Sequence, residues 1–317
     1  MLAWLLAMPA HAENPKTAQD WLKQLEPALD QTSYRGVFIY SRGGAVSAMR
    51  IVHDYENGRV YERLIRQDGA GSEIVRKGND VVCLLPDSGG LKLHAQLPTT
   101  PFSQTFRNRE RPLSRWYQSR LLPEDRVAGH TTVVVALQAK DAYRYSHRLW
   151  LEANTGLLVK SQVRSANDDI LEHFQFTQLE ITDDIKADEL DLPKNKQARS
   201  AIELDTKPLT SQRPTPDWSL SWLPEGFEVA APSQDKRGYA VYSDGLASFS
   251  VFVDREEGTA MPEGVSRLGA TTVFLRRFEH DGKPYRLAVI GEIPPKTAMQ
   301  VAQHVQLDGV QIGARSP

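Results

Sequence analysis

The stretch YRGVFIYSRGGAVSAMRIVHDYENGRVYERLIRQDGAGSEIVRKGNDVVCLL, residues 34–85, decides the fold. Its apolar and aromatic residues fall into short runs, 34–40, 45–53, 59–67, 72–77 and 81–85, of strand length. The separators are Arg42-Gly43-Gly44, Asn57-Gly58, Asp68-Gly69 and Gly78-Asn79. Glycine and asparagine take the positive φ that tight hairpins need, so the pattern predicts a meander of antiparallel strands.

Working outward, Trp21, Leu22, Leu25 and Leu29 recur at helical spacing just upstream. Before them lies an apolar run from Leu2 to Met8, with Ala10-His11-Ala12 in the form of a signal-peptidase site. Residues 1–12 are therefore expected to be a secretory leader, although no Lys or Arg precedes the apolar run. Downstream, a second set of strand candidates covers 127–139, 143–152, 157–165 and 171–180, with Asn154-Thr155-Gly156 and Asn167-Asp168-Asp169 at corners. Nine or more strands with one or two helices predict one large, strongly curved sheet. Alternation pairs Val37 with Ile39 and Met49 with Ile51, without saying which pair faces inward.

Between the two sets, 86–112 is the least regular stretch, and it is long for a connection inside a compact domain. Leu91, Leu93, Leu97, Phe102 and Phe106 give it apolar content, which suits a flap over an apolar surface. Arg107, Arg109, Arg111, Arg115 and Arg120 follow, a set that can hold phosphates or an acidic peptide through planar bidentate bonds. A solvated face with partners elsewhere on the fold is the plainer reading of the same arginines.

The stretch after Asp191 is aperiodic and carries Pro193, Pro208, Pro214 and Pro216, as a semi-extended linker would. This divides the chain into a leader at 1–12, a first domain at 13–192, a linker at 193–215 and a second domain at 216–317. In the last of these, 239–243, 247–254, 271–278 and 285–290 read as strands. Pro294-Pro295 opens a closing helix with Ala298, Val301, Ala302 and Val305 on one face.

Composition removes several classes of function. The 317 residues carry 38 basic and 40 acidic side chains, which argues against a general nucleic-acid binder. Cys83 is the one cysteine, so neither an internal disulfide nor a cysteine-rich zinc site can form. It lies in an apolar run, as a buried structural thiol does. No P-loop, G-x-S-x-G, H-E-x-x-H or G-x-G-x-x-G occurs. The histidines are scattered singly, although His147 and His173 sit on strands that could bring them together. Asp183, Asp184, Asp188 and Glu189 lack the glycine and alternating oxygens of a calcium loop and read as an exposed strand end. No catalytic, metal or cofactor site is expected.

The distinctive residues are Trp222-Leu223-Pro224-Glu225-Gly226-Phe227, Tyr242-Ser243-Asp244-Gly245-Leu246-Ala247-Ser248-Phe249, and Ile290-Gly291-Glu292-Ile293-Pro294-Pro295-Lys296-Thr297-Ala298. With Gly36-Val37-Phe38-Ile39-Tyr40, Val75-Arg76-Lys77-Gly78-Asn79, Pro112-Leu113-Ser114-Arg115-Trp116-Tyr117 and Tyr143-Arg144-Tyr145, they make the chain resemble the RseB/MucB family of periplasmic sigma-E regulators. The resemblance implies a mainly β, α+β fold. Its first domain would be a half-open antiparallel β-barrel with helices, like the carriers LolA and LolB, followed by a smaller α+β domain. It implies a periplasmic, non-enzymatic regulator without cofactor. Such a protein binds the periplasmic part of an anti-sigma factor of the RseA/MucA type, shields it from proteolysis, and lets go when lipopolysaccharide or another lipid binds. A homo-oligomer stays among the open partner states. A periplasmic lipid or lipoprotein carrier is the alternative function. On this reading Leu93, Leu97, Phe102 and Phe106 contact lipid, Arg107, Arg109 and Arg111 hold its phosphates, and Trp222, Phe227, Tyr242 and Phe249 are the partner-binding candidates.

Overall fold

The computed structural model describes residues 16–69, 71–78, 80–85, 89–94, 113–191, 201–204, 218–230, 239–256, 262–307 and 310–311. The expected leader lies outside them, as do Leu97, Phe102, Phe106, Arg107, Arg109 and Arg111. Helix α1, Ala18–Gln31, opens on a capping box. The Thr17 hydroxyl accepts from the Asp20 amide, and the Asp20 carboxylate accepts from the Thr17 amide at 3.0 Å.

The meander follows as β1 (Tyr34–Arg42), β2 (Ala45–Glu56), β3 (Arg59–Arg66), β4 (Glu73–Lys77) and β5 (Asp80–Leu85). At its second turn Asn57 and Gly58 both have positive φ, 52° and 77°, the geometry that keeps a two-residue hairpin in step with twisted strands. The stretch expected to be an irregular flap then yields a further strand, β6 (Gly89–His94), antiparallel to β5. A run of six residues opening on two glycines carries too little periodicity to announce itself.

The second set also holds one strand more than expected. A 3-10 turn at Leu113–Arg115 leads into β7 (Tyr117–Val127), and a turn at Ala128-Gly129 separates it from β8 (His130–Ala139). Then come β9 (Ser146–Glu152), β10 (Leu158–Arg164), β11 (Ile170–Ile181) and a single helical turn, α2 (Ala187–Leu190). β7 is hard to see in sequence because Gln118, Arg120, Glu124, Asp125 and Arg126 interrupt its apolar pattern and Pro123 sits at a register shift, all of which an edge strand tolerates.

All of these join one twelve-stranded sheet in the order β12-β6-β5-β4-β3-β2-β1-β11-β10-β9-β8-β7. The return of β11 to β1 fuses the two meanders. The edges β12 and β7 do not pair, so the barrel is half open. β12 (Ala201–Leu204) comes from the stretch expected to be pure linker and runs parallel to β6.

The second unit contains β13 (Trp218–Leu220), β14 (Glu228–Val229), β15 (Tyr239–Ser243), β16 (Ser248–Arg255), β17 (Gly264–Leu268), β18 (Thr271–His280) and β19 (Lys283–Gly291). Helix α3 (Pro295–Gln303) follows, and the chain continues into β20 (Val305–Leu307) and β21 (Val310–Gln311) rather than ending on the helix. Six strands form the sheet β14-β15-β16-β19-β18-β17, and β13, β20 and β21 make a small one. Ala298, Val301 and Ala302 of α3 are buried against this unit's core, as their spacing predicts, and Val305 joins them from β20.

Candidate functional site

The inner face of the large sheet is aromatic. Register aligns Phe38 with Phe176 and Met49, and Phe174 with Tyr40. The rings of Phe38 and Phe174 lie 5.0 Å apart and those of Phe174 and Phe176 5.3 Å, tilted or edge-on as ring quadrupoles prefer. Met49 and Ile51 therefore point inward, and Val37 and Ile39 outward. Helix α1 lies over this face and buries Trp21, Leu22, Leu25 and Ala28 against it.

Helix α1 is fastened at its middle and near its C-terminal end. Gln24 donates to the Thr155 carbonyl at 3.1 Å in the β9–β10 turn. Near the C-terminal end the buried His53 ring has Nε2 at 3.1 Å from the Asp30 carbonyl and Nδ1 at 3.0 Å from Glu62 Oε2, with Tyr34 stacked on it. Under the helix, Leu29, Tyr34, Phe38, Ile51, Leu158, Phe174 and Phe176 surround a cavity of about 10 Å3, which has room for one water.

A second feature joins the two units. Arg144, between β8 and β9, and Asp244, in the β15–β16 turn, form an ion pair at 2.5 Å with both side chains wholly buried. Arg144 also donates to the Glu225 carbonyl at 2.6 Å and to Asp141 at 3.0 and 3.1 Å. Its guanidinium stacks on Phe227, Trp116 and Tyr117, with ring centroids at 5.0, 5.3 and 5.8 Å. Asp244 accepts from the amides of Leu246 and Ala247 at 2.8 and 2.7 Å and from the Tyr117 hydroxyl at 3.1 Å. Burial, reinforced by Asp244, pushes the Tyr117 hydroxyl far above the usual tyrosine range. Buried charges on this scale are tolerated because every oxygen and donor group is matched. Next to them Gly226 takes φ +87° and lies flat against the Trp116 ring, which a Cβ would strike. Leu246 leaves its own unit to join the core of the first. Tyr143 makes an edge contact with Trp222, and its carbonyl accepts from Thr297 at 3.1 Å.

Of the residues expected to contact lipid or phosphate, only Leu93 lies among the described residues. Leu93 falls within β6, and Arg115 and Arg120 are exposed. Phe227, Tyr242 and Phe249 are 3%, 6% and 1% exposed and pack on one another in the second core, while Trp222 stays partly open beside Tyr143 and His304. His147 and His173 lie on β9 and β11 with β10 between them. Burial alone pushes His147 down to about 4 and is the main cause that lowers His173. Cys83 is partly buried, and that burial raises its thiol. No cluster of three or more metal-ligating side chains occurs among the described residues. Sequence reasoning missed the Arg144–Asp244 pair. Arg144 stood out only as the middle of the Tyr143-Arg144-Tyr145 motif and Asp244 only as one residue of the Tyr242–Phe249 stretch.

A half-open antiparallel sheet with a helix bolted over its inner face, sealed to a smaller sheet unit by buried charges, defines a two-unit binding protein. The chain belongs to the MucB/RseB family: the model of the MucB/RseB N-terminal domain matches residues 17–194 and that of the C-terminal domain residues 212–306. It is 35% identical to the sigma factor AlgU regulatory protein MucB of Pseudomonas aeruginosa, over 96% of this chain and 95% of that one. It is 27% identical to the sigma-E factor regulatory protein RseB of Haemophilus influenzae, over 96% of each. The structure of the Pseudomonas aeruginosa MucA/MucB complex matches with a TM-score of 0.71 at 33% identity, over 92% of this chain and 98% of that one.

Proposed function

We propose that this protein is a periplasmic negative regulator of a sigma-E-type envelope-stress response. It binds the periplasmic region of an anti-sigma factor of the RseA/MucA type, protects it from regulated proteolysis, and releases it on a lipid signal such as lipopolysaccharide. The observation that carries this reading is the likeness to MucB along both units, together with the MucB structure solved with MucA. A free-standing carrier is less well supported, since the sheet face that would hold its cargo is filled by α1.

On this reading Trp222 faces the partner, and Phe227, Tyr242 and Phe249 shape the surface from beneath. Leu93, Leu97, Phe102, Phe106, Arg107, Arg109 and Arg111 receive the lipid. The test uses the intact chain, because removing the second unit would strip Leu246 and Asp244 from the first. Titration calorimetry with a MucA-type periplasmic fragment should give a complex that slows proteolysis of the fragment and that lipopolysaccharide dissolves. Absence of a complex, or a complex indifferent to the lipid, argues for a different partner or a different signal. Replacing Arg107, Arg109 and Arg111 together with alanine should weaken lipopolysaccharide binding and flatten its dependence on salt.

A further inference from the structure

Along the seam between the units, the second unit meets the first through two of its turns, both at the same end of its six-stranded sheet. The β15–β16 turn closes on Ser243 opposite Ser248 and the β17–β18 turn on Leu268 opposite Thr271, while Gly291 of β19 pairs with Phe249 and Thr272 between them. Three strand spacings, or about 14 Å, separate the two turns.

The first turn carries Asp244 and its pair with Arg144; the second has its own fittings. Glu172 of β11 is 2% exposed. Its Oε1 accepts from the Ala270 amide at 3.0 Å and lies 3.2 Å from Arg42 Nε, while Oε2 accepts from the Tyr40 hydroxyl at 2.6 Å. Arg42 also donates to the Leu268 carbonyl at 3.3 Å and to the Thr271 hydroxyl. Ala270 is wholly buried in a small apolar cluster with Tyr145, Val163 and Leu171 of the first unit. A Cβ on Gly269 would run into Arg42 and Glu172, and one on Gly43 into Leu268.

The two junctions differ in what their separation exposes. Undoing the Asp244 junction draws Leu246 out of the first core, lifts Phe227 off the Arg144 guanidinium and parts two charged side chains that have no exposure at all. Undoing the Glu172 junction bares one methyl and one amide, and the Arg42 side chain is already 35% exposed, so water takes over its bonds in place. Burial stabilises in proportion to apolar area, and a leucine side chain hides several times the area of a methyl. We propose that the Glu172 junction is a clasp and the Arg144–Asp244 junction a pivot. The chain opens first at the β17–β18 turn, and the second unit swings on Arg144 without needing a partner to do so. The swing uncovers Glu172 beside Arg42, together with the apolar socket of Tyr145, Val163 and Leu171.

Amide exchange in the intact chain, corrected for intrinsic rates, compares the two junctions. The Ala270 amide should exchange at least about tenfold faster than those of Leu246 and Ala247, which donate to Asp244. Glu172→Gln leaves one acceptor oxygen for three donors, from Ala270, Arg42 and Tyr40. It should speed exchange at Ala270 by a further factor of about five, while Leu246 and Ala247 keep their rates. Spin labels at Val46 and Val265, exposed residues of β2 and β17, tell a swing from fraying of the turn; Cys83→Ser removes the competing thiol. In Glu172→Gln their distance distribution should extend to longer separations. Equal exchange at the two junctions, no rise at Ala270 in the variant, Leu246 and Ala247 loosening along with it, or an unchanged distance distribution overturns the proposal. If Glu172→Gln does not fold, Ala270→Gly, which takes only the methyl from the socket, carries the same comparison.

Discussion

At the scale of single residues, the seam concentrates the largest effects. Arg144→Ala leaves the Asp244 carboxylate buried without its cation, a change that costs about 3–5 kcal/mol. Urea titration should show it, and a loss below about 1 kcal/mol would mean that water reaches Asp244. Gly226→Ala combines a left-handed backbone with a clash on Trp116 and should destabilise by about 2 kcal/mol or more. His147 carries a pH effect. Burial holds it near 4, whereas an unfolded histidine titrates near about 6.5. As pH falls through that window the unfolded chain takes up a proton that the folded one refuses, so stability drops by up to about 3 kcal/mol. His147→Leu should flatten this acid limb, as read from urea midpoints at neutral pH and near about pH 4.5.

At the scale of elements, α1 and the edge strands differ in what holds them. Helix α1 is fastened by its apolar stripe, with Leu25 wholly buried, and by the bonds of Gln24 and His53. Leu25→Ala should cost about 2–5 kcal/mol and enlarge the small cavity beneath the helix. If α1 yields to lipid, that variant should bind a fluorescent fatty acid more readily than the wild type does; equal binding would separate the lipid site from this face.

Legibility from sequence follows the same divide. The central strands were readable because Asn57-Gly58 and Gly43-Gly44 punctuate runs with one buried face. Strands β7 and β12 were not, since an edge strand lacks a partner on one side and tolerates Pro123 or a run of charges; β6, flanked by β5 and β12, is short and opens on two glycines, too little for a period to show. The Arg144–Asp244 pair was unreadable for another reason. Its members stand 100 residues apart, and nothing in either local pattern refers to the other.

At the scale of the whole molecule, the two cores share side chains. Leu246 of the second unit completes the first core, and Arg144 of the first is roofed by Phe227 of the second. Calorimetry should therefore show both units melting in one transition, with Arg144→Ala splitting it in two. Two transitions in the wild type would mean that the seam adds little to either unit.

The short parallel pairing of β12 with β6 bears on what happens once the seam lets go. β11 lies deep within the sheet, yet the chain leaving it is stitched to the sheet edge at Ala201–Leu204 before it enters the second unit at Trp218. The leash that matters runs from that stitch and is shorter than the whole connecting segment. An undocked second unit stays at high effective concentration beside its berth, and redocking is an intramolecular search over a small volume. Unpicking the stitch, for instance with proline at Ile202, would lengthen the leash and slow the return without touching any residue of the seam.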